Sequence, residues 1–175
     1  MNEKKDDLKD EAVFPENLYA MGKSDYVTGN RPNVDCILCS IINNEEGIVS
    51  KELYRDDKIF VTLNIYPFNP GHLMVIPLRH IERWRDLDAG EKKQIMAMVE
   101  RCQIMLEEEF GTTSFNIGMN EGPVSGASIK HLHVHVVPRF PRELGFIDTI
   151  GKTRAMVYTI DQVYEKLKDK LVFRA

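Results

Sequence analysis

The chain has 175 residues, 43% of them hydrophobic and 29% charged, with a net charge of −4 and a pI of about 5.8. This fits one soluble domain with a core of its own and supplies no broad basic field for nucleic acid or an anionic membrane. No apolar run is long enough to span a bilayer, and three cysteines do not make a disulfide framework.

The first twelve residues, Met1–Ala12, are densely charged and lack the apolar core of a secretory signal, so a disordered tail over 1–12 and a cytoplasmic setting are expected. Residues 13–34, with Phe14, Leu18, Tyr19 and Tyr26, read as an irregular extension, and the folded domain is expected over 35–175. Cys36 and Cys39 form a Cys-x-x-Cys pair, which in a reducing compartment is half of a metal or redox site or else a pair of buried thiols. Ile37, Leu38, Ile41 and Ile42 have helical spacing.

Lys58–Asn64 alternates and is rich in β-branched residues, predicting a strand. Pro67, Pro70 and Gly71 mark a tight connection into a second strand, His72–Pro77. A long helix follows. Asp88 and Glu91 have capping-box spacing, and Ile95, Met98, Val99, Cys102, Met105 and Leu106 form its apolar stripe, up to a stop at Gly111. Ser114–Met119 and Leu132–Val137 read as two further strands, and Val163, Tyr164, Leu167 and Leu171 predict a C-terminal helix. This order implies an α+β fold with a mainly antiparallel sheet.

The most informative stretch is His131-Leu132-His133-Val134-His135-Val136-Val137. Side chains alternate faces along a strand, so the three imidazoles are expected on one face and the apolar residues on the other. Imidazole can be nucleophile, acid, base or metal ligand near neutral pH. Mutual repulsion should keep at least one of three close rings neutral. The loop before them, Asn120–Ser128, holds Gly122 and Gly126, where backbone amides can approach an anion, and Asn120 and Ser128 add side-chain donors. A nucleophile beside anion donors is what phosphate transfer needs.

His-x-His-x-His followed by two apolar residues resembles the signature of the histidine triad (HIT) superfamily of nucleotide hydrolases and transferases. Asn64–His72 with Val75-Ile76-Pro77 resembles its ribose-binding hairpin, and Cys36–Ile42 its N-terminal helix. The resemblance runs from about Asp35 to Arg139, and Phe146-Ile147-Asp148 is more loosely similar to the diadenosine tetraphosphate phosphorylase branch. It implies a HIT-like fold: an antiparallel sheet, one long crossover helix and a short N-terminal helix. It further implies a homodimer acting on an adenine nucleotide or dinucleoside polyphosphate, without an organic cofactor.

In such a protein His133 attacks the α-phosphate to give a covalent nucleotidyl-histidine, and His135 hydrogen-bonds the phosphate or leaving group. Asn120, Gly126, Ala127 and Ser128 border the phosphate, and Asn64 binds the ribose. Ile37, Leu38, Ile41, Thr62 and Ile65 line the base pocket. In one branch Cys36, Cys39, His80 and His131 match four ligands of structural zinc. The chain departs from the nucleotide-hydrolysing branches at Ala127, where those usually carry Gln. The phosphorylase branch also has a small residue there, so inorganic phosphate joins water as an expected acceptor. Against that branch, Phe140 replaces a Trp, and Pro141–Gly145 departs from its following loop. Rival readings are an adenosine phosphoramidase, a non-catalytic nucleotide-binding protein and a zinc-stabilised interaction module.

Overall fold

The computed structural model describes residues 32–141, 143 and 156–171. The expected tail over 1–12, nearly all of the extension over 13–34 and the Phe146–Asp148 resemblance lie outside them. Apart from Glu143, the described residues fall within one structural unit, 20–141 with 156–175.

Five strands, β1 (Glu52–Arg55), β2 (Ile59–Leu63), β3 (Leu73–Pro77), β4 (Ser114–Gly118) and β5 (Val134–Arg139), form one sheet in the order β1-β2-β3-β5-β4. Every neighbouring pair is antiparallel. Helix α1 (Ile37–Ile42) precedes the sheet, α2 (Ala89–Phe110) crosses over between β3 and β4, and α3 (Ile160–Leu167) follows β5. The α+β class, the antiparallel sheet and the two expected central strands are therefore present. β1 lacks the alternating apolar pattern and was not expected; only Leu53 of its four residues is buried.

Alternation along the strands divides the sheet into two faces. Ile59, Val61, Leu63, Leu73, Val75, Val134 and Val136 pack with Ile95, Met98, Val99, Cys102, Met105 and Leu106 of α2 in the main core. Val163 and Leu167 of α3 join the same cluster. Phe60, Met74 and Ile76 point the other way and pack with Leu38, Ile41 and Ile42 of α1. Registers Thr62↔Met74 and Met74↔His135 set Thr62, Met74 and His135 in one row on this second face.

Helix α2 begins at the expected capping box: Asp88 Oδ1 accepts the Glu91 N–H at 2.8 Å, and Glu91 Oε2 accepts the Asp88 N–H at 2.8 Å. It ends at Gly111, whose N–H donates to Glu107 O. Helix α3 has its own box, Thr159 with Gln162. Lys166 and Lys170 pair with Glu109 near the end of α2. Leu171 lies beyond α3 but still packs on the core. Among the described residues no helix is long and apolar enough to cross a membrane.

Candidate active site

The histidine segment departs from the predicted strand. Pairing begins at Val134, so His131 and His133 precede the ladder and only His135 lies within it. Their backbone is engaged elsewhere. Leu132 N–H donates to Ile81 O at 2.7 Å, and the His131 carbonyl accepts from the His133 ring at 2.7 Å. Alternation persists even so, with Leu132, Val134 and Val136 in the main core.

The hydrogen bonds assign the tautomers. A carbonyl only accepts, so His133 carries its proton on Nδ1, and a neutral ring then leaves the Nε2 lone pair unprotonated. Burial is the leading cause that holds the His133 pKa below the ordinary histidine value, opposed by the bond to His131 O. His135 is pushed down to about 4, first by burial and then by the neighbouring His133. The two rings meet edge to face, with centroids 4.8 Å apart. Desolvation, more than the like-charge repulsion expected from the sequence, keeps this pair neutral at pH 7.

His72, marked in the sequence only as the first residue of an expected strand and the end of the hairpin, joins this cluster of rings. It is fully buried, and its Nε2 lies 2.9 Å from His135 Nδ1. Its Nδ1 accepts the Phe68 backbone N–H at 3.1 Å. Burial, with the fields of His135 and His133, lowers the His72 pKa to about 3, so the ring is neutral and its proton sits on Nε2. His72 therefore donates to His135 Nδ1, and the His135 proton is placed on Nε2. Its place after Pro-Gly at the start of a strand is visible in the sequence, but its contact with His135 is not.

The first histidine takes a different path. His131 Nε2–H donates to Pro77 O at 2.9 Å, turning its Nδ1 lone pair toward two sulfurs. Cys36 Sγ is 3.6 Å away and Cys39 Sγ 3.5 Å away. His80 Nδ1 lies 3.2 Å from Cys39 Sγ. All four donor atoms lie within 4.8 Å of one another. Tetrahedral zinc with thiolate and imidazole ligands sets donors about 3.6 Å apart, so the spacing fits a metal of that kind. The Pro77 carbonyl is the outer partner that orients such a ligand. Arg79, next to His80, makes a bidentate pair with Glu91 at 3.1 and 2.9 Å and ties this loop to the start of α2. Burial and the nearby Cys36 raise the Cys39 thiol to about 11, which makes metal binding a proton-releasing event.

The remaining expected residues fall around this core. Leu38 and Ile41 are buried in the second cluster, with Ile37 packed against it. Thr62 is buried with its hydroxyl donating to Leu63 O at 3.2 Å. Ile65 and Asn64 are half-buried, and Asn64 Oδ1 accepts the Tyr66 N–H at 2.8 Å. The loop after β4 holds Asn120, then a 3₁₀ turn at Pro123–Ser125 between Gly122 (φ 82°) and Gly126 (φ 85°). Ala127 is half-buried and Ser128 exposed. Glu121 fixes the start of this loop by accepting the Trp84 N–H at 2.8 Å, a contact unmarked in the sequence.

The HIT domain family model matches residues 45–142 of this chain. The chain belongs to the HIT domain family. The match begins after α1, so Cys36 and Cys39 lie outside it while His80 and the three central histidines lie inside. Among HIT relatives, the chain is 37% identical over 116 residues to the AP-4-A phosphorylase of Mycobacterium tuberculosis, covering 66% of this chain and 58% of that protein. It is 34% identical over 90 residues to the asymmetrical bis(5'-nucleosyl)-tetraphosphatase of Schizosaccharomyces pombe, covering 51% and 50%. This chain thus spans 58% of the length of the first and 50% of the second. A crystal structure of a zinc-bound histidine triad family protein from Mycobacterium smegmatis superposes with a TM-score of 0.63 at 25% identity, covering 77% of this chain and 91% of that one.

Proposed function

We propose that this HIT domain cleaves dinucleoside polyphosphates of the diadenosine tetraphosphate type at the α-phosphate, through a covalent nucleotidyl-histidine. The observation that carries the reading is the His133–His135–His72 arrangement. One neutral ring offers an Nε2 lone pair, and its neighbour carries a proton on Nε2. In the first step a bond forms from His133 Nε2 to phosphorus and the bond to the bridging oxygen breaks. His135 Nε2–H bonds the phosphate or the departing oxygen. Covalent catalysis divides one hard displacement into two easier ones. Attack by water on the nucleotidyl-histidine yields AMP, and attack by inorganic phosphate yields ADP.

Asn120, Ser128 and the amides around Gly126 would hold the phosphate oxygens. Asn64 would turn its Nδ2 to the ribose, since its Oδ1 already holds the Tyr66 turn. Ile37, Leu38, Ile41, Thr62 and Ile65 would border the base. The phosphorylase name of the mycobacterial relative and the small Ala127 favour phosphate as acceptor. Cys36, Cys39, His80 and His131 would hold structural zinc, fastening α1 to the catalytic segment, and thiolate ligation suits the reducing cytoplasm. The open edge of β4, with Ile117 exposed, supports a homodimer.

The test is a product assay with labelled diadenosine tetraphosphate, with and without inorganic phosphate. Label should become attached to the wild-type chain and not to His133→Asn. AMP release unaffected by phosphate, with no ADP, would end the phosphorolysis reading. Full turnover by His133→Asn would end the covalent mechanism.

A further inference from the structure

Residues 77–84 carry contacts that the chemistry above does not use together. Pro77 O accepts from the His131 ring, His80 is one of the four metal donors, and Ile81 O accepts the Leu132 N–H at 2.7 Å. The two residues before His133 are thus held by this segment. At its far end the Trp84 N–H donates to Glu121 Oε1 at 2.8 Å, across 37 residues of sequence. Trp84 packs against the main core, so this donor has a firm base. Glu121 opens the loop assigned to the phosphate. Beyond it Pro123, Val124, Ser125 and Gly126 are exposed, and the turn closes on itself, Ser125 N–H and Oγ both donating to Gly122 O. Among the described residues, Glu121 makes the side-chain hydrogen bond that joins this loop to another element. A carboxylate repels a nearby phosphate unless its charge is engaged, and a charge-assisted bond to a backbone N–H engages it.

We propose that Glu121 is a positioning residue for the phosphate: its bond to Trp84 docks the loop over 122–128 on the segment that also holds the His133 stretch, so anion donors and nucleophile share one frame. This rests on the phosphate-binding reading of that loop given above. Reacting groups must agree to within about 1 Å, and a common anchor supplies that agreement. Such coupling is reciprocal. If the tether favours phosphate binding, bound phosphate strengthens the tether by the same factor.

The probes are AMP and adenosine, which share base and ribose and differ in the phosphate. Glu121→Ala should weaken AMP by about tenfold, within the worth of one hydrogen bond to a charged group. It should shift adenosine by less than about twofold. Glu121→Gln keeps an acceptor for the Trp84 N–H and should recover most of the AMP affinity. In the unsubstituted chain, AMP should slow hydrogen exchange at the Trp84 amide about tenfold more than adenosine does, each at the same multiple of its dissociation constant. Equal weakening of both probes by Glu121→Ala makes Glu121 a general support of the fold, and weakening of neither leaves the loop in place without it. Either result overturns the proposal, as does a Glu121→Gln chain no better than Glu121→Ala. Trp84 exchange slowed alike by the two ligands also overturns it, whether or not Glu121→Ala folds. An unsubstituted chain that holds AMP no more tightly than adenosine overturns the phosphate reading of the loop and the tether with it. Failure to release AMP or ADP from diadenosine tetraphosphate overturns the transfer chemistry and not the tether, which the AMP–adenosine difference decides.

Discussion

Replacing His72 with Leu removes the group that sets the His135 tautomer while keeping the volume nearly filled. Two polar atoms lose their partner, the Phe68 N–H and His135 Nδ1. An unsatisfied buried group costs about 1–3 kcal/mol. Leucine gains apolar burial at a fully buried position, so the net expected loss is about 1–2 kcal/mol. For a chain of this length that is a drop of roughly 2–8 °C in melting temperature. The catalytic loss should be larger. Without a donor at Nδ1 the His135 proton can sit on the wrong nitrogen, and a misplaced acid–base group costs about 100-fold or more. The assay pairs a melting curve with single-turnover release of AMP from diadenosine tetraphosphate. His72→Gln, which can still accept from Phe68 and donate to His135, should recover part of the rate. If His72→Leu melts lower yet keeps its rate within about threefold of wild type, His72 only fills space and the tautomer relay is wrong.

The four-donor cluster should bind one zinc per chain, and Cys36→Ser should lose it. At a free zinc concentration about 100 times the dissociation constant the metal adds about 2.7 kcal/mol, or roughly 5–11 °C at this length. A metal-free wild-type chain with an unchanged melting temperature removes that contribution. Cys36, Cys39 and His80 border an open cleft lined by Asn33, Asp35, Glu45 and Glu82, so a soluble chelator should strip the metal without denaturant. Acid should weaken the fold well above the carboxylate range. His72 is held near 3 when folded and returns to about 6.5 when unfolded, so between these values the unfolded chain binds the extra proton. His72 alone therefore removes about 2 kcal/mol between pH 7 and pH 5, and His135 acts in the same direction. A urea midpoint that stays constant over that interval would contradict neutral burial of these rings.

Much of the fold was legible because burial writes periodicity into the chain. The two-residue alternation of β2 and β3 and the three- and four-residue stripe of α2 match the faces they bury. β1 escaped because it is a short edge strand with only Leu53 buried. The start of β5 was misplaced because alternation continues through Leu132 although ladder pairing does not. Periodicity reports which way side chains point, whereas pairing depends on where backbone groups find partners. The four metal donors were legible only by likeness to a family, since 41 residues separate Cys39 from His80 and 92 separate it from His131. His72 and Glu121 join the site through contacts at long range, His72 to His135 and Glu121 to Trp84. No local pattern encodes such contacts.

The late start of β5 bears on how far this sheet can be idealised. The His131 carbonyl accepts the His133 ring N–H in the stretch before Val134, where the chain has not yet paired with β3. A sequence that gave that oxygen a backbone amide in place of the ring would make a longer, more regular sheet. It would also set His133 free to carry its proton on either nitrogen. A redesign scored on regular pairing alone would therefore favour a sequence that folds better and reacts worse. The irregular stretch from His131 to His133 is an acceptor held in reserve for a side chain.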